Sequence, residues 1–185
     1  MKKVLISGFQ PFSSHAENSS QIIAELFKEV DLHGFEIRSI VLPVTFISSF
    51  EHLKTEIENF DPDYVICLGL AGERTSITIE RVAINLIHSK VPDNDGVTHY
   101  DQAIIQNGPA AYFSTLPLKA IRELKTIFPV EESYSAGTYV CNNLMYLVLN
   151  FLKGSDVKAG FIHLPHLKDK RADIFHSLIG LIQVL

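Results

Sequence analysis

The chain has 185 residues, of which 46% are hydrophobic and 20% are charged, and its formal net charge is −5 at pH 7. These values are ordinary for a globular protein, so we expect a single domain over residues 1–185 with a substantial core. The acidic balance argues against a nucleic-acid partner, and no apolar stretch is long enough to cross a bilayer. Two cysteines cannot form a disulfide framework, and the first apolar run is too short for a signal peptide, so we expect a cytoplasmic protein.

The first third of the chain alternates predicted strands with predicted helices. Continuous apolar runs predict buried strands, and amphipathic spacing predicts the helices between them. The predicted strands are residues 3–8, 35–42 and 64–69, and the predicted helices are residues 18–30 and 45–59. Asn18 and the two serines after it are candidate caps of the first helix. Cys67 lies inside the third apolar run, which indicates a core thiol.

The apolar pattern changes to alternation from Ser76 onward. Ile77 and Ile79 share one face of a predicted strand, but the phase slips by one residue across Glu80 and Arg81. A bulge or bend at that point would re-aim the Glu80 side chain. The alternative is that Glu80 is a solvated residue at the edge of the sheet.

Residues 93–96, Asp-Asn-Asp-Gly, faintly resemble a calcium-binding loop. The full twelve-residue spacing with a terminal glutamate is absent, so the segment is predicted to be a turn. We therefore expect no metal site and no cofactor.

The remainder of the chain continues the alternation of strands and helices. The predicted elements are a helix at 117–128, a strand at 132–135, a helix from about 139, a strand at 158–165 and a helix at 172–184. Such alternation is typical of an α/β fold, here a three-layer sandwich with a largely parallel, twisted central sheet flanked by helices.

Cys141 falls in the first turn of a predicted buried helix. Gly137 and Thr138 precede that helix and are candidates for the turn glycine and the N-cap hydroxyl. A helix N-terminus with a nearby histidine lowers the pKa of a thiol to roughly 3.5–7.5, and the thiolate is the nucleophile. The alternative is that Cys141 is simply another small buried residue.

Three residues with chemical potential follow predicted strands, and ligands of parallel sheets bind beyond the carboxyl ends of the strands. They are Glu80, Cys141 and His163. A nucleophile, a base and an orienting carboxylate are the components of a cysteine-hydrolase triad. The alternative for His163 is a hydrogen-bonded histidine of the core.

Six short blocks in a fixed order give the most specific signal. They are Gly8-Phe9-Gln10-Pro11-Phe12, Glu80-Arg81-Val82-Ala83-Ile84-Asn85, Pro92-Asp93-Asn94, Gly108-Pro109-Ala110-Ala111-Tyr112, Ala136-Gly137-Thr138-Tyr139-Val140-Cys141-Asn142 and Gly160-Phe161-Ile162-His163-Leu164-Pro165. Together they resemble the pyroglutamyl peptidase I family, cysteine exopeptidases that remove amino-terminal 5-oxoproline (pyroglutamate). The resemblance runs from about Val4 to Pro165.

The resemblance implies a function and a set of site residues. Cys141, His163 and Glu80 match the family's catalytic residues. An apolar pocket for the lactam ring is implied at Phe9, Phe12, Val91, Tyr139 and Val140. The expected substrates are peptides with amino-terminal pyroglutamate, hydrolysed through a thioacyl-enzyme. Relatives are commonly homotetramers or monomers, so a homo-oligomer is an expectation from the family alone.

Several positions depart from the family pattern, although the three catalytic positions are intact. They are Ser13 and Ser14 in place of two glycines, Leu70 where some relatives have glutamine, Lys90 for arginine and Asn143 for histidine. The chain also stops sooner after the last block. These departures concern substrate affinity and loop conformation.

Two other functions are compatible with such a scaffold. A non-catalytic member would bind blocked amino termini or a related small amide. A nucleoside phosphorylase-like enzyme would need a basic phosphate site and no nucleophilic cysteine.

Overall fold

The computed structural model describes residues 1–12 and 17–185, in which it places ten strands and five α-helices. The strands are β1 Lys2–Phe9, β2 Phe35–Leu42, β3 Tyr64–Leu70, β4 Ile77–Glu80, β5 Val82–Ile84, β6 Ile87–Ser89, β7 His99–Gln102, β8 Ala111–Phe113, β9 Val130–Ser133 and β10 Lys158–Leu164. The helices are α1 Ser19–Phe27, α2 Ser48–Phe60, α3 Leu118–Glu123, α4 Val140–Phe151 and α5 Arg171–Gln183, with a 3₁₀ turn at Lys168–Lys170. Ser13 and Ser14, two of the family departures, lie outside the described residues.

Six strands form the central sheet in the order β2-β1-β3-β10-β4-β9. The first four of these run parallel to one another. Strand β4 pairs antiparallel with β10 and parallel with β9, so the last two strands run in the opposite direction. The predicted α/β fold with a largely parallel sheet is confirmed, with two reversed strands that the sequence did not predict.

Helices cover both faces of this sheet. One buried cluster includes Leu53 of α2 and Leu144 of α4, and the other includes Ile23 of α1 and Ile174 of α5. Such burial on both faces explains why the central strands are continuous apolar runs rather than alternating ones. Among the described helices, none combines the length and the apolar character needed to span a bilayer.

The phase slip at Glu80 is the point where the chain leaves the central sheet. Strand β4 ends at Glu80, and β5 pairs with β8 in a separate two-stranded sheet. The Arg81 N–H donates to the Ser133 carbonyl at 2.7 Å, while the Arg81 carbonyl accepts from the Ser114 N–H at 3.0 Å. The predicted bend is confirmed, and it fixes the end of β4.

Two predicted elements in the second half of the chain were wrong in extent. The helix predicted over residues 117–128 ends at Glu123, and the Phe128 N–H donates instead to Ser177 Oγ at 2.9 Å. The backbone is already extended at the C-cap Leu124, with ψ 130°, whereas Pro129 disfavours helical backbone only at Phe128. The strand predicted at 132–135 is β9, two residues earlier. The short strands β6, β7 and β8 were not predicted.

Candidate active site

Glu80 and His163 meet across the antiparallel pair β4 and β10. In the strand register Glu80 lies opposite Phe161 and Thr78 lies opposite His163. Residues two apart on a strand share a face, so Glu80 and His163 are diagonal neighbours on the same side of the sheet. His163 Nδ1 lies 2.7 Å from Glu80 Oε1, and both residues are buried.

The prediction that Glu80, Cys141 and His163 all lie beyond the carboxyl ends of parallel strands was wrong in part. Only His163 lies at the carboxyl edge of the parallel strands, because β4 and β9 run the opposite way. Glu80 joins the site through cross-strand register. Cys141 joins it because the segment after β9 leads back to that edge before α4 begins.

The charge state of the pair follows from its surroundings. Burial alone would raise the pKa of Glu80, but hydrogen bonding with His163, Ser133 and Arg74 outweighs it and the pKa is lowered. Burial lowers the pKa of His163, although Glu80 opposes this change. At neutral pH the carboxylate is therefore ionised and the imidazole neutral. A carboxylate accepts, so Nδ1–H donates to Glu80 and Nε2 is left as the basic atom.

Cys141 is the second residue of α4, at a helix N-terminus without a side-chain cap. Gly137 has φ +77°, which confirms the predicted turn glycine. Thr138 was predicted to cap the helix, and this was wrong. Its Oγ1 donates to the His88 carbonyl at 2.7 Å, and Tyr139 occupies the N-cap position. First-turn N–H groups are oriented out of the helix end, where they can stabilise an anion.

The Cys141 thiol packs closely against the end of β3. A Cβ added at Gly69 would come within 3.1 Å of Cys141 Sγ and 2.7 Å of Phe161 Cζ, so this position requires glycine. Gly69 is also the register partner of His163 on β10, which brings the thiol and the imidazole to the same point of the sheet edge.

Burial raises the pKa of Cys141 to about 12, and the Glu80 charge adds to the effect. The expected depression of this pKa by the helix N-terminus was therefore wrong for the free protein. Desolvation by the apolar pocket outweighs the helix dipole. The resting site at neutral pH holds a thiol and a neutral imidazole, so nucleophilic attack requires transfer of the thiol proton to a base.

Cys141 and His163 line a cavity of about 170 Å³ beside the sheet edge. Its other lining residues are mostly apolar: Phe9, Phe12, Asn18, Val44, Leu70, Ala136, Tyr139 and Val140. Pockets for drug-sized ligands have roughly 300–1,000 Å³, so this cavity suits one small ring rather than an extended chain. Four of the five predicted pocket residues are therefore present. Val91 is not among the lining residues and is half-exposed, so its role in binding stays a prediction.

Tyr139 forms one wall of the cavity and connects it to the turn at residues 91–96. Its hydroxyl donates to the Pro92 carbonyl at 2.9 Å, and its ring makes an edge contact with Phe46 at 5.4 Å between centroids. The Asp93 carboxylate accepts from the N–H groups of Phe46, Asp95 and Val97, which confirms the predicted turn. The apolar wall and the turn are thus one hydrogen-bonded unit.

Asn143, a departure from the family pattern, also supports this wall. Its side chain is buried, and Nδ2 donates to the Phe46 carbonyl at 2.7 Å. The residue therefore ties the start of α4 to the segment that contains the lining residue Val44 and Phe46, whose ring packs against Tyr139.

Arg74 is the main residue of the site that the sequence analysis missed. Its guanidinium Nη1 donates to Glu80 Oε1 at 2.6 Å and contacts Thr78 Oγ1, and Nη2 donates to the Ser135 carbonyl at 3.1 Å. It lies in a polar turn between β3 and β4, where no periodicity indicates a direction for the side chain. Val44 and Ala136, which line the cavity, were also missed; they lie in the connections before α2 and before α4.

A larger cleft of about 420 Å³ lies between α3 and β9. Its described lining includes Arg122, Glu132 and Tyr134 but neither a cysteine nor a histidine, so it lacks the thiol and the imidazole of a cysteine-hydrolase site. Within residues 1–12 and 17–185, no cluster of three or more His, Cys, Asp or Glu side chains is arranged to hold a metal ion.

Comparisons with known proteins agree on one family. The family model described as pyroglutamyl peptidase matches residues 2–177. The pyrrolidone-carboxylate peptidase of Brevibacillus brevis is 46% identical over 178 residues, which cover 93% of this chain and 82% of the relative.

Solved structures give the same result. Pyrrolidone carboxyl peptidase from Thermococcus litoralis superposes with a TM-score of 0.92 at 36% identity, covering 100% of this chain and 93% of that one. Pyroglutamyl peptidase I from Bacillus amyloliquefaciens superposes with a TM-score of 0.90 at 34% identity, covering 98% and 95% of the two chains.

Proposed function

The chain belongs to the pyroglutamyl peptidase family, and on that premise we propose that it removes amino-terminal pyroglutamate from peptides through a thioacyl intermediate on Cys141. The observation that carries the proposal is the 2.7 Å contact between His163 Nδ1 and Glu80 Oε1 beside a small apolar cavity that Cys141 also lines. A nucleophile, a base and an orienting carboxylate are then adjacent to a space for one ring.

The first chemical step is attack on the pyroglutamyl carbonyl. His163 Nε2 takes the proton of Cys141 Sγ as the sulfur bonds to the carbonyl carbon, giving a tetrahedral oxyanion and an imidazolium. Glu80, ionised and bonded to Nδ1, stabilises that imidazolium. The N–H groups in the first turn of α4, including that of Cys141, are the proposed donors to the oxyanion.

The second half of the reaction releases both products. The imidazolium gives its proton to the leaving amine as the carbon–nitrogen bond breaks, which leaves a thioester between pyroglutamate and Cys141. Neutral His163 then takes a proton from water, and the resulting attack hydrolyses the thioester. Free pyroglutamate leaves, and the thiol is restored.

The pocket explains the choice of an uncharged amino terminus. Pyroglutamate has no ammonium group, so its lactam ring can be buried between apolar side chains without an unpaired charge. Phe9, Phe12, Tyr139 and Val140 provide those side chains. A free amino terminus would have to lose its hydration there without a carboxylate partner.

Hydrolysis of a pyroglutamyl aminocoumarin amide tests the proposal. We expect fluorophore release by the wild-type protein, loss of release after iodoacetamide treatment, and no release by Cys141→Ser. Binding of the substrate analogue 2-pyrrolidinone without any hydrolysis by the wild type would instead support the non-catalytic alternative.

A further inference from the structure

We propose that Arg74 is a positioning residue for the catalytic carboxylate, holding Glu80 toward His163 and tying that carboxylate to the segment that precedes Cys141. The inference deepens the proposed function and rests on it. Its basis is a single guanidinium group that contacts the strand carrying Glu80 and the loop leading to α4.

The first part of the inference concerns one carboxylate oxygen. Glu80 Oε1 lies 2.6 Å from Arg74 Nη1 and 2.7 Å from His163 Nδ1, so the guanidinium and the imidazole share the same acceptor. Glu80 is fully buried and Arg74 is partly buried, with 27% of its side chain exposed. A buried carboxylate that lost this cation would keep only the neutral donors His163 and Ser133 against a large desolvation cost. Arg74 thus adds to the interactions that keep Glu80 ionised, and it holds the carboxylate in the rotamer that meets His163.

The second part concerns the segment between β9 and α4. Nη2 of the same guanidinium donates to the Ser135 carbonyl at 3.1 Å, two residues before Gly137 and its positive φ. Strand β9 ends at Ser133, so this contact lies in the loop that leads back to the sheet edge. A planar group with two separate donors can join the carboxylate and the loop at once, whereas an ammonium group offers only a point charge.

The charges around His163 and Cys141 make a specific prediction possible. The titratable and charged groups that face these two residues are Glu80 on β4, Arg74 in the turn before it, Cys67 on β3 and Tyr139 before α4. Burial lowers the pKa of His163, Glu80 opposes this, and the Arg74 charge lowers the pKa further. Burial, Glu80 and Cys67 raise the pKa of Cys141, whereas Arg74 opposes that rise.

Removal of the Arg74 charge should therefore raise the pKa of both His163 and Cys141. Neutral His163 is the base in the free enzyme, so the acid limb of kcat/KM should shift to higher pH in Arg74→Gln. A nearby cation disfavours the protonated imidazole and favours the thiolate, which gives both shifts this direction. The lost alignment of Glu80 should also lower kcat by about 100-fold, as small misplacements of catalytic groups do.

The experiment measures kcat/KM against pH for the wild type, Arg74→Gln, Arg74→Lys and a control, Arg122→Gln. Arg122 pairs with Glu132 on β9, the outermost strand of the central sheet, and does not line the catalytic cavity. Arg122→Gln therefore also breaks an Arg–Glu pair, but one outside the proposed site. We expect the acid limb of kcat/KM to move to higher pH only in Arg74→Gln. Arg74→Lys keeps the charge, so its limb should stay at the wild-type position while kcat falls, because one ammonium cannot bond both Glu80 and Ser135.

Substrate-free alkylation of Cys141 by iodoacetamide gives a second readout that does not require hydrolysis. Its apparent pKa should rise in Arg74→Gln and stay unchanged in Arg122→Gln. A wild-type protein that hydrolyses no pyroglutamyl amide would overturn the proposed function, and alkylation would still decide the role of Arg74.

The inference is overturned if folded Arg74→Gln keeps the wild-type kcat, acid limb and alkylation profile. It is also overturned if the activity of Arg74→Gln falls equally at every pH, since that result indicates a merely structural role. If Arg74→Gln does not fold, Arg74→Lys decides. An unshifted limb with a lowered kcat and an unchanged KM supports the inference, and a shifted limb, a wild-type kcat or a KM that changes together with kcat overturns it.

Discussion

The two cysteines of this chain lie in regions with different chemistry, although burial raises the pKa of each to about 12. Cys67 is in the middle of β3, opposite Phe161 on β10, inside the apolar core. Cys141 is at the uncapped start of α4 and lines a cavity together with His163. Thiol acidity in the free protein therefore does not distinguish them.

The surroundings of the thiol, rather than a low thiol pKa, would therefore select Cys141 as the nucleophile. Cys141 has a base at the same cavity, N–H groups at a helix end and space for a substrate ring. Cys67 has none of these, because both faces of its strand are covered. Substitutions at the site and at Cys67 can therefore separate the two cysteines further or remove the distinction.

Replacement of the nucleophile should have the largest effect. We expect Cys141→Ser to lower kcat by about 10⁶-fold, as loss of a triad nucleophile does. Steady-state release of aminocoumarin from a pyroglutamyl amide measures this, with circular dichroism to confirm folding. A folded Cys141→Ser variant with substantial turnover would remove the distinction between the two cysteines.

Glu80→Gln should lower kcat by about 10⁴-fold, the cost of losing the orienting carboxylate in a comparable triad. Glu80 raises the pKa of His163, whose overall shift is downward from 6.5 because of burial. Its loss should therefore move the acid limb of kcat/KM to lower pH, opposite to the shift expected for Arg74→Gln. A near-normal kcat with an unshifted limb would leave a Cys–His dyad and a structural Glu80.

The charge of the substrate's amino-terminal residue should distinguish the apolar Cys141 cavity from an ordinary solvated cleft. We expect a pyroglutamyl amide to be hydrolysed roughly 10³-fold better than the matching glutamyl amide, because burying an unpaired charge costs several kcal/mol. The ratio of kcat/KM for the two amides measures this. Comparable values would show that the lactam is not bound between Phe9, Phe12 and Tyr139.

Cys67→Ser should have the smallest effect on catalysis. The folded variant should keep kcat/KM within about twofold of the wild type, while the buried hydroxyl lowers the free energy of unfolding by about 1–3 kcal/mol. Urea unfolding and the aminocoumarin assay measure the two quantities. If folded Cys67→Ser lost as much activity as Cys141→Ser, the assignment of Cys141 as the nucleophile would be wrong.

The sequence predicted the site best where local patterns carry the information. A buried strand ending at His163, a turn glycine before the Cys141 helix and a phase slip at Glu80 are each visible in the order of apolar residues. The helix predicted at 117–128 was too long because the apolar periodicity continues to Phe128, although the backbone is already extended at Leu124. Thr138 was wrongly predicted to cap the helix, because its hydrogen bond to the distant His88 carbonyl has no signature in the local sequence.

The remaining features depend on contacts between distant parts of the chain. The reversed direction of β4 and β9 brings Glu80 to His163 by register, and strand direction has no local signature. Arg74 lies in a polar turn, where composition does not reveal a buried carboxylate partner. The raised pKa of Cys141 follows from desolvation by the assembled pocket, which a helix-terminus argument does not include.

The most direct test of the role of Cys141 is the rate of iodoacetamide labelling at each cysteine, resolved by mass spectrometry and followed together with activity. We predict that labelling of Cys141 and loss of pyroglutamyl-amide hydrolysis share one rate constant. Saturating 2-pyrrolidinone should slow both, and Cys67 should be labelled only after unfolding. Activity that disappears at the rate of Cys67 labelling, or persists after Cys141 is fully labelled, would contradict the assignment of Cys141 as the nucleophile.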